Sequence, residues 1–181
     1  MARKKIFVTG IILLAVCIGF GAYLIGRNAK KNLSLENFRQ DGEYQYLQLE
    51  WGTSVEDAKK LLKTSMETDP GRSPAPDNYE FYKTKKLYLL DGQTTDASLE
   101  FQGNRLQLVH FDFSLDENGE EWFDKQIGQL QELFGPESES FGNEGEPFQS
   151  RGYKWETENS TLQVILVYGT KAYVIFSLGS K

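Results

Sequence analysis

Residues 96–113 read DASLEFQGNRLQLVHFDF, and this stretch decides the fold. Ala97, Leu99 and Phe101 alternate with Ser98, Glu100 and Gln102, a period of two that sends one row of side chains to a core and the other away from it. Gly103-Asn104 breaks the run with a turn pair. Val109, Phe111 and Phe113 then alternate on the way back. Two such runs around a two-residue turn predict a hairpin in an antiparallel sheet.

Working upstream, Leu87 and Leu89 lead into a turn at Asp91-Gly92, and the Pro-rich run Arg72-Ser73-Pro74-Ala75-Pro76 is a loop. Before it, Thr53-Ser54-Val55-Glu56 has the spacing of a capping box, with Thr53 as N-cap and Glu56 three residues on. Val55, Ala58, Leu61, Leu62 and Met66 share one helix face, with Lys59, Lys60 and Lys63 outside it. The helix is expected to end before Asp69-Pro70-Gly71.

Downstream the same order returns. Phe123, Ile127, Leu130 and Phe134 lie on one helix face, closed by Gly135-Pro136. A polar loop over 137–150 follows. Tyr153 and Trp155 alternate, then Leu162, Val164, Leu166 and Tyr168; Gly169-Thr170 turns the chain, and Tyr173, Ile175 and Ser177 return. Laying residues 96–101 against residues 159–164 brings the following turns almost into step. This predicts two α-β-β-β pseudo-repeats, neither apolar enough to stand alone, sharing one sheet. The expected fold class is α+β: a two-layer sandwich with two helices on one face of an antiparallel sheet.

Helix-plus-meander repeats resemble the small modules of beta-lactamase-inhibitor proteins and of the outer-membrane assembly lipoprotein BamE. The lead-in Leu49-Glu50-Trp51-Gly52-Thr53-Ser54-Val55-Glu56 is similar to the Gly-then-helix lead-in of such modules. The resemblance covers the layout of the domain and this one motif; it departs in having one helix per repeat instead of two. It implies a protein-binding, non-enzymatic module and assigns no functional residue.

The chain has 181 residues and a formal net charge of −6, unevenly placed. Residues 1–31 carry six bases (Arg3, Lys4, Lys5, Arg27, Lys30, Lys31) and no acid. Taken from totals of 20 bases and 26 acids, they leave 14 against 26 for the rest, a balance of −12. So acidic a body repels phosphate backbones, which excludes nucleic acid as the expected partner. Between the flanking bases, residues 6–26 run 21 residues without a charge. A helix of that length spans about 30 Å, the hydrocarbon thickness of a bilayer. The expected organisation is a short basic tail (1–5), a transmembrane signal-anchor held by the lipid bilayer (6–26), a polar tether (27–44) and an α+β domain (45–181). A cleaved signal peptide is the alternative, and the lipoprotein-like Leu14-Ala15-Val16-Cys17 lacks the small residue such a box needs before its cysteine. Basic residues near the span are tied, and the N-terminal amine tips the orientation. The localisation expected is therefore a single-pass protein of the cell membrane with its C-terminal domain outside the cytoplasm.

The best candidate for chemistry is Ser114-Leu115-Asp116-Glu117-Asn118-Gly119-Glu120-Glu121-Trp122. As a calcium loop with Gly119 at position 6, it places Lys125 at position 12, where a bidentate Glu is required. As a helix start it succeeds: Asp116 or Asn118 caps, and Glu120 and Glu121 sit near the positive end of the helix dipole. His110 is the single histidine and Cys17 the single cysteine, so a Cys–His pair, a thiolate cluster or a histidine-rich zinc site is out of reach. No nucleophile elbow or phosphate-cradling Gly loop is present. No catalytic, cofactor or metal residue is assigned. The acids Glu120, Glu121, Glu137, Glu139, Glu144 and Glu146 are expected as a possible interaction surface. The functional expectation is an anchored, extracytoplasmic, non-enzymatic binding module for a protein or envelope partner. The alternatives are a cell-surface glycan hydrolase using paired carboxylates, or a small-ligand-binding accessory protein.

Overall fold

The hairpin of residues 96–113 forms, and its two-residue turn is the first reason. Gly103 and Asn104 take φ of 56° and 63°, the pair of positive values that a type I′ turn needs to match the twist of its strands. The computed structural model describes residues 30–46, 48–69, 78–116, 118–143, 149–168 and 171–181. The chain divides into residues 1–30 and 31–181, and the described residues, Lys30 apart, belong to the second unit. In chain order the elements are β1 (Lys31–Asn32), a 3-10 turn (Leu35–Phe38), β2 (Arg39–Gln40), β3 (Glu43–Tyr44) and α1 (Val55–Leu62). Next come β4 (Met66–Thr68), β5 (Tyr79–Thr84), β6 (Tyr88–Leu90), β7 (Gln93–Thr95), β8 (Ala97–Gln102) and β9 (Arg105–Leu115). α2 (Gly119–Phe134), β10 (Glu139–Asn143), β11 (Gln149–Glu156), β12 (Ser160–Tyr168) and β13 (Ala172–Ser180) complete the unit.

Eight strands make one antiparallel sheet in the order β10-β11-β12-β13-β9-β8-β5-β4, with smaller sheets β1-β6-β7 and β2-β3 beside it. The two halves of the chain contribute four strands each and meet at β9 and β13, where Phe111 faces Phe176. On the inner face the alternating rows of β8, β9, β12 and β13 are buried, among them Leu99, Phe111, Val164 and Phe176.

What covers that face corrects the expected fold class. The fold is strand-dominated, with thirteen strands and two α-helices among the described residues, and it is not a layer of two helices on a sheet. Much of the cover is short extended chain. Residues 31–44, expected as a tether, are built in: β1 pairs in parallel with β6, and Leu33, Leu35, Phe38 and Tyr44 are buried, followed by Tyr46 and Leu49. Phe111 is the hub. Phe38 stacks on it at 5.6 Å, while Tyr46 and Tyr88 meet it edge-on at 4.9 and 5.6 Å. Rings so enclosed each contribute about 1.5–3 kcal/mol through burial. The long helix α2 packs on β12, β13 and the 3-10 turn through Phe123, Ile127 and Leu130. Its last turn is closed by Trp155, whose indole N–H donates to the Gly135 carbonyl at 3.0 Å.

Four further expectations also change. The expected repeat of three strands per helix becomes four, because β4 and β10 are added at the two ends of the sheet. The first helix stops at Leu62, since Lys63 takes a left-handed conformation (φ 48°), and Met66 opens β4 instead of extending the helix. Its N-cap is Ser54, not Thr53. Ser54 Oγ accepts from the Asp57 amide at 3.2 Å and donates to the Asp57 carboxylate at 2.8 Å, while Thr53 turns to the Glu50 carbonyl. The polar loop expected over 137–150 contains β10.

The transmembrane signal-anchor, the bilayer as partner, and the single-pass placement with an extracytoplasmic domain are corrected as well. No helix among the described residues is long and apolar enough to cross a membrane: α1 has 8 residues and α2 has 16, with acids in the first turn of each. The span assigned to residues 6–26 lies outside the described residues.

Candidate functional site

A strand that buries every second residue presents the others on the opposite face. Cross-strand pairing aligns those outward residues in rows. One row runs Asp112, Ile175, Ile165, Gly152, Phe141 from β9 to β10. The next runs Ser114, Tyr173, Val167, Ser150, Asn143. Ile165, Ile175, Val167, Tyr173 and Phe141 therefore lie together on one side of the outward face, Tyr173 exposed (41%) and the others half-buried. Gly152 is part of the patch because it has no side chain. A Cβ there would stand 2.6 Å from Phe141 Cζ, so the Phe141 ring lies over the glycine.

The patch has a polar border. A third row runs Ser98, His110, Ser177, Gln163, Lys154, Glu139. His110 Nδ1 and Ser177 Oγ are 2.8 Å apart. Lys154 Nζ lies 2.6 Å from Glu156 and 3.8 Å from Glu139; the Glu156 carboxylate holds the lysine above its ordinary pKa, and Lys154 holds Glu156 below its own. Ser177 is 8% exposed in a strand paired on both sides, so its amides are spent in the ladder and offer no oxyanion hole.

The acidic segment at the start of α2 makes a different feature. A cleft of about 1110 Å³ opens there, lined by Gln93, Asp116, Glu120, Glu121, Trp122, Lys125 and Tyr168 among others. The Tyr168 hydroxyl donates to the Glu120 carboxylate, and burial, with Glu120 second, raises the tyrosine's pKa. Asp91, in the β6–β7 turn, accepts from Lys125 Nζ at 2.7 Å, from Gln126 Nε2 at 3.3 Å, and through its carbonyl from Trp122 Nε1 at 3.3 Å. Asn118 occupies the N-cap without a side-chain bond to the helix. Among the described residues no three His, Cys, Asp or Glu side chains gather as metal ligands.

The six acids named from the sequence do not form one surface. Glu120 and Glu121 begin α2. Glu137, beyond its far end, accepts from Gln131 Nε2 at 2.9 Å, a bond that lowers its pKa. The two groups lie toward opposite ends of α2, a helix of sixteen residues, about 24 Å long. Glu139 lies on the outward sheet face beside Lys154, and Glu144 and Glu146 lie outside the described residues. The residues that do assemble, Phe141, Ile165, Val167, Tyr173 and Ile175, were not singled out as a site. Their signal was a run apolar at both parities, Val164-Ile165-Leu166-Val167, where a one-sided strand needs only one. Comparison with protein-family models, curated proteins and solved structures returns no match to this chain.

Proposed function

We propose that the chain is a non-enzymatic binding module whose outward sheet face receives a partner protein through an apolar surface of the partner's own. The observation that carries this reading is the contiguity of Ile165, Val167, Tyr173, Ile175 and Phe141. Single exposed apolar residues are ordinary, whereas a patch rimmed by polar groups has the anatomy of an interface. Hydrolysis by paired carboxylates needs an acid held protonated near neutrality. Among the described residues the displaced carboxylates Glu43, Asp57, Glu137 and Glu156 are all held low instead, and Glu120 is engaged with Tyr168.

Site-specific photo-crosslinking tests the reading. A photoreactive residue at Ile165 or Ile175 in the full chain is expected to capture a discrete partner, while one at the exposed Glu132 of α2 captures none. Ile175→Glu and Tyr173→Ala are expected to abolish capture from position 165 without shifting the unfolding midpoint. Equal capture from position 132, or capture that survives both variants, would overturn it.

A further inference from the structure

The two ends of the eight-stranded sheet are built differently. At one end β4 is three residues long and is flanked by the ion pairs Lys85–Glu67 and Lys83–Asp69. A short, charged strand of this kind discourages edge pairing. At the other end β10 is five residues, Glu139-Ser140-Phe141-Gly142-Asn143, with no Lys or Pro. Its outer edge pairs with no strand among the described residues.

We propose that β10 pairs antiparallel with the β10 of a second copy of this chain, about a two-fold axis through Phe141, joining two sheets into one. In that register Phe141 faces its own copy, Ser140 faces Gly142, and Glu139 faces Asn143. No like charges stand opposite one another, and an aromatic pair forms at the centre, both favourable in cross-strand pairing. The axis is perpendicular to the sheet, so outward residues stay outward. The row Ile175, Ile165, Gly152, Phe141 then runs on into the second copy without interruption. The contact uses the same strand twice and closes as a dimer. A slip of one residue would turn Phe141 to the other face, and with it the apolar row would end at the joint. This pairing goes beyond the partner-binding reading and stands or falls separately from it.

Charge at position 143 tests the register. Sedimentation equilibrium of the full chain is expected to show a concentration-dependent dimer. Asn143→Glu, which sets two carboxylate pairs against each other per dimer, is expected to weaken it about five-fold. Asn143→Lys is expected to strengthen it by a similar factor, and Glu139→Lys added to Asn143→Glu to restore it. In a Cys17→Ser background, Glu139→Cys with Asn143→Cys is expected to give a covalent dimer on mild oxidation, and Asn143→Cys alone none. A monomer at all concentrations overturns the proposal. So does a dimer whose affinity ignores the charge at 143, or equal cross-linking by the single and double cysteine variants.

Discussion

Glu43 and Ser160 lie 117 residues apart in the chain, and the Ser160 hydroxyl donates to the Glu43 carboxylate at 2.5 Å. Thr157 Oγ1 donates to the same carboxylate, Asn159 Nδ2 adds a bond at 3.1 Å, and Ser160 Oγ accepts from the Tyr44 amide at 2.7 Å. The β2–β3 hairpin is thereby clasped to the turn between β11 and β12.

That clasp sets an acid limit. Donation by Ser160, then by Thr157, lowers the Glu43 pKa from 4.5 to about 2. A carboxyl whose folded pKa is depressed contributes stability above its unfolded pKa and loses it as pH falls toward the folded value. Urea unfolding is therefore expected to show wild type losing, between about pH 4.5 and pH 2, stability that Glu43→Gln lacks already at pH 7. Parallel pH curves for the two proteins would show that the clasp contributes nothing.

The turn at Asn104 joins two costs that variants can separate. Asn104 has φ of 63°, and its Oδ1 accepts from the Val55 amide at 3.1 Å, holding the start of α1. Asn104→Gly keeps the backbone conformation and loses the acceptor, an expected cost of about 1 kcal/mol. Asn104→Ala loses both and is expected to cost about 2 kcal/mol. Equal destabilisation by the two, measured by denaturant unfolding, would assign the whole effect to the hydrogen bond.

Phe111→Ala opens the centre of the aromatic cluster and is expected to destabilise by about 3–5 kcal/mol. Its stacking partner Phe38 should be coupled to it. In a double-mutant cycle with Phe38→Ala, the interaction energy is expected at about 0.5–1.5 kcal/mol. Strict additivity would mean that residues 31–44 are not docked on the sheet.

Gly152→Ala forces the Phe141 ring off its seat, and the new Cβ also comes 3.1 Å from the Val164 carbonyl. A loss of about 1–2 kcal/mol is expected. With Phe141→Ala already present the same substitution should cost less, and thermal unfolding of the four proteins reads the difference. An undiminished penalty would trace the strain to the carbonyl alone.

The hairpin around Gly103-Asn104 was legible because its turn chemistry and its alternation agree. The long helix was legible from Phe123, Ile127, Leu130 and Phe134, whose spacing admits only a helical face. The chain from Leu33 to Leu49 was not, because Leu33, Leu35, Phe38, Tyr44, Tyr46 and Leu49 follow no single period. Leu35 and Phe38 sit in the 3-10 turn, Tyr44 in β3, and Leu33, Tyr46 and Leu49 between the named elements. β10 escaped for another reason. Glu, Ser, Gly and Asn carry little strand preference of their own, and pairing with β11 makes them a strand. The outward patch needed knowledge of which face is covered. Residues 164–167 satisfy either answer, and only the tertiary arrangement of the segments over the inner face decides between them.

The meeting of β9 with β13 governs the order in which this molecule can be made. Of all the strands in the sheet, β13 leaves the ribosome last, yet it fills the middle position. Until it arrives, the earlier strands form two separate ribbons, each with an open flank, and Phe111 has no neighbour across the seam. A nascent chain halted before residue 172 would therefore expose two sticky borders at once and depend on chaperones to keep them apart.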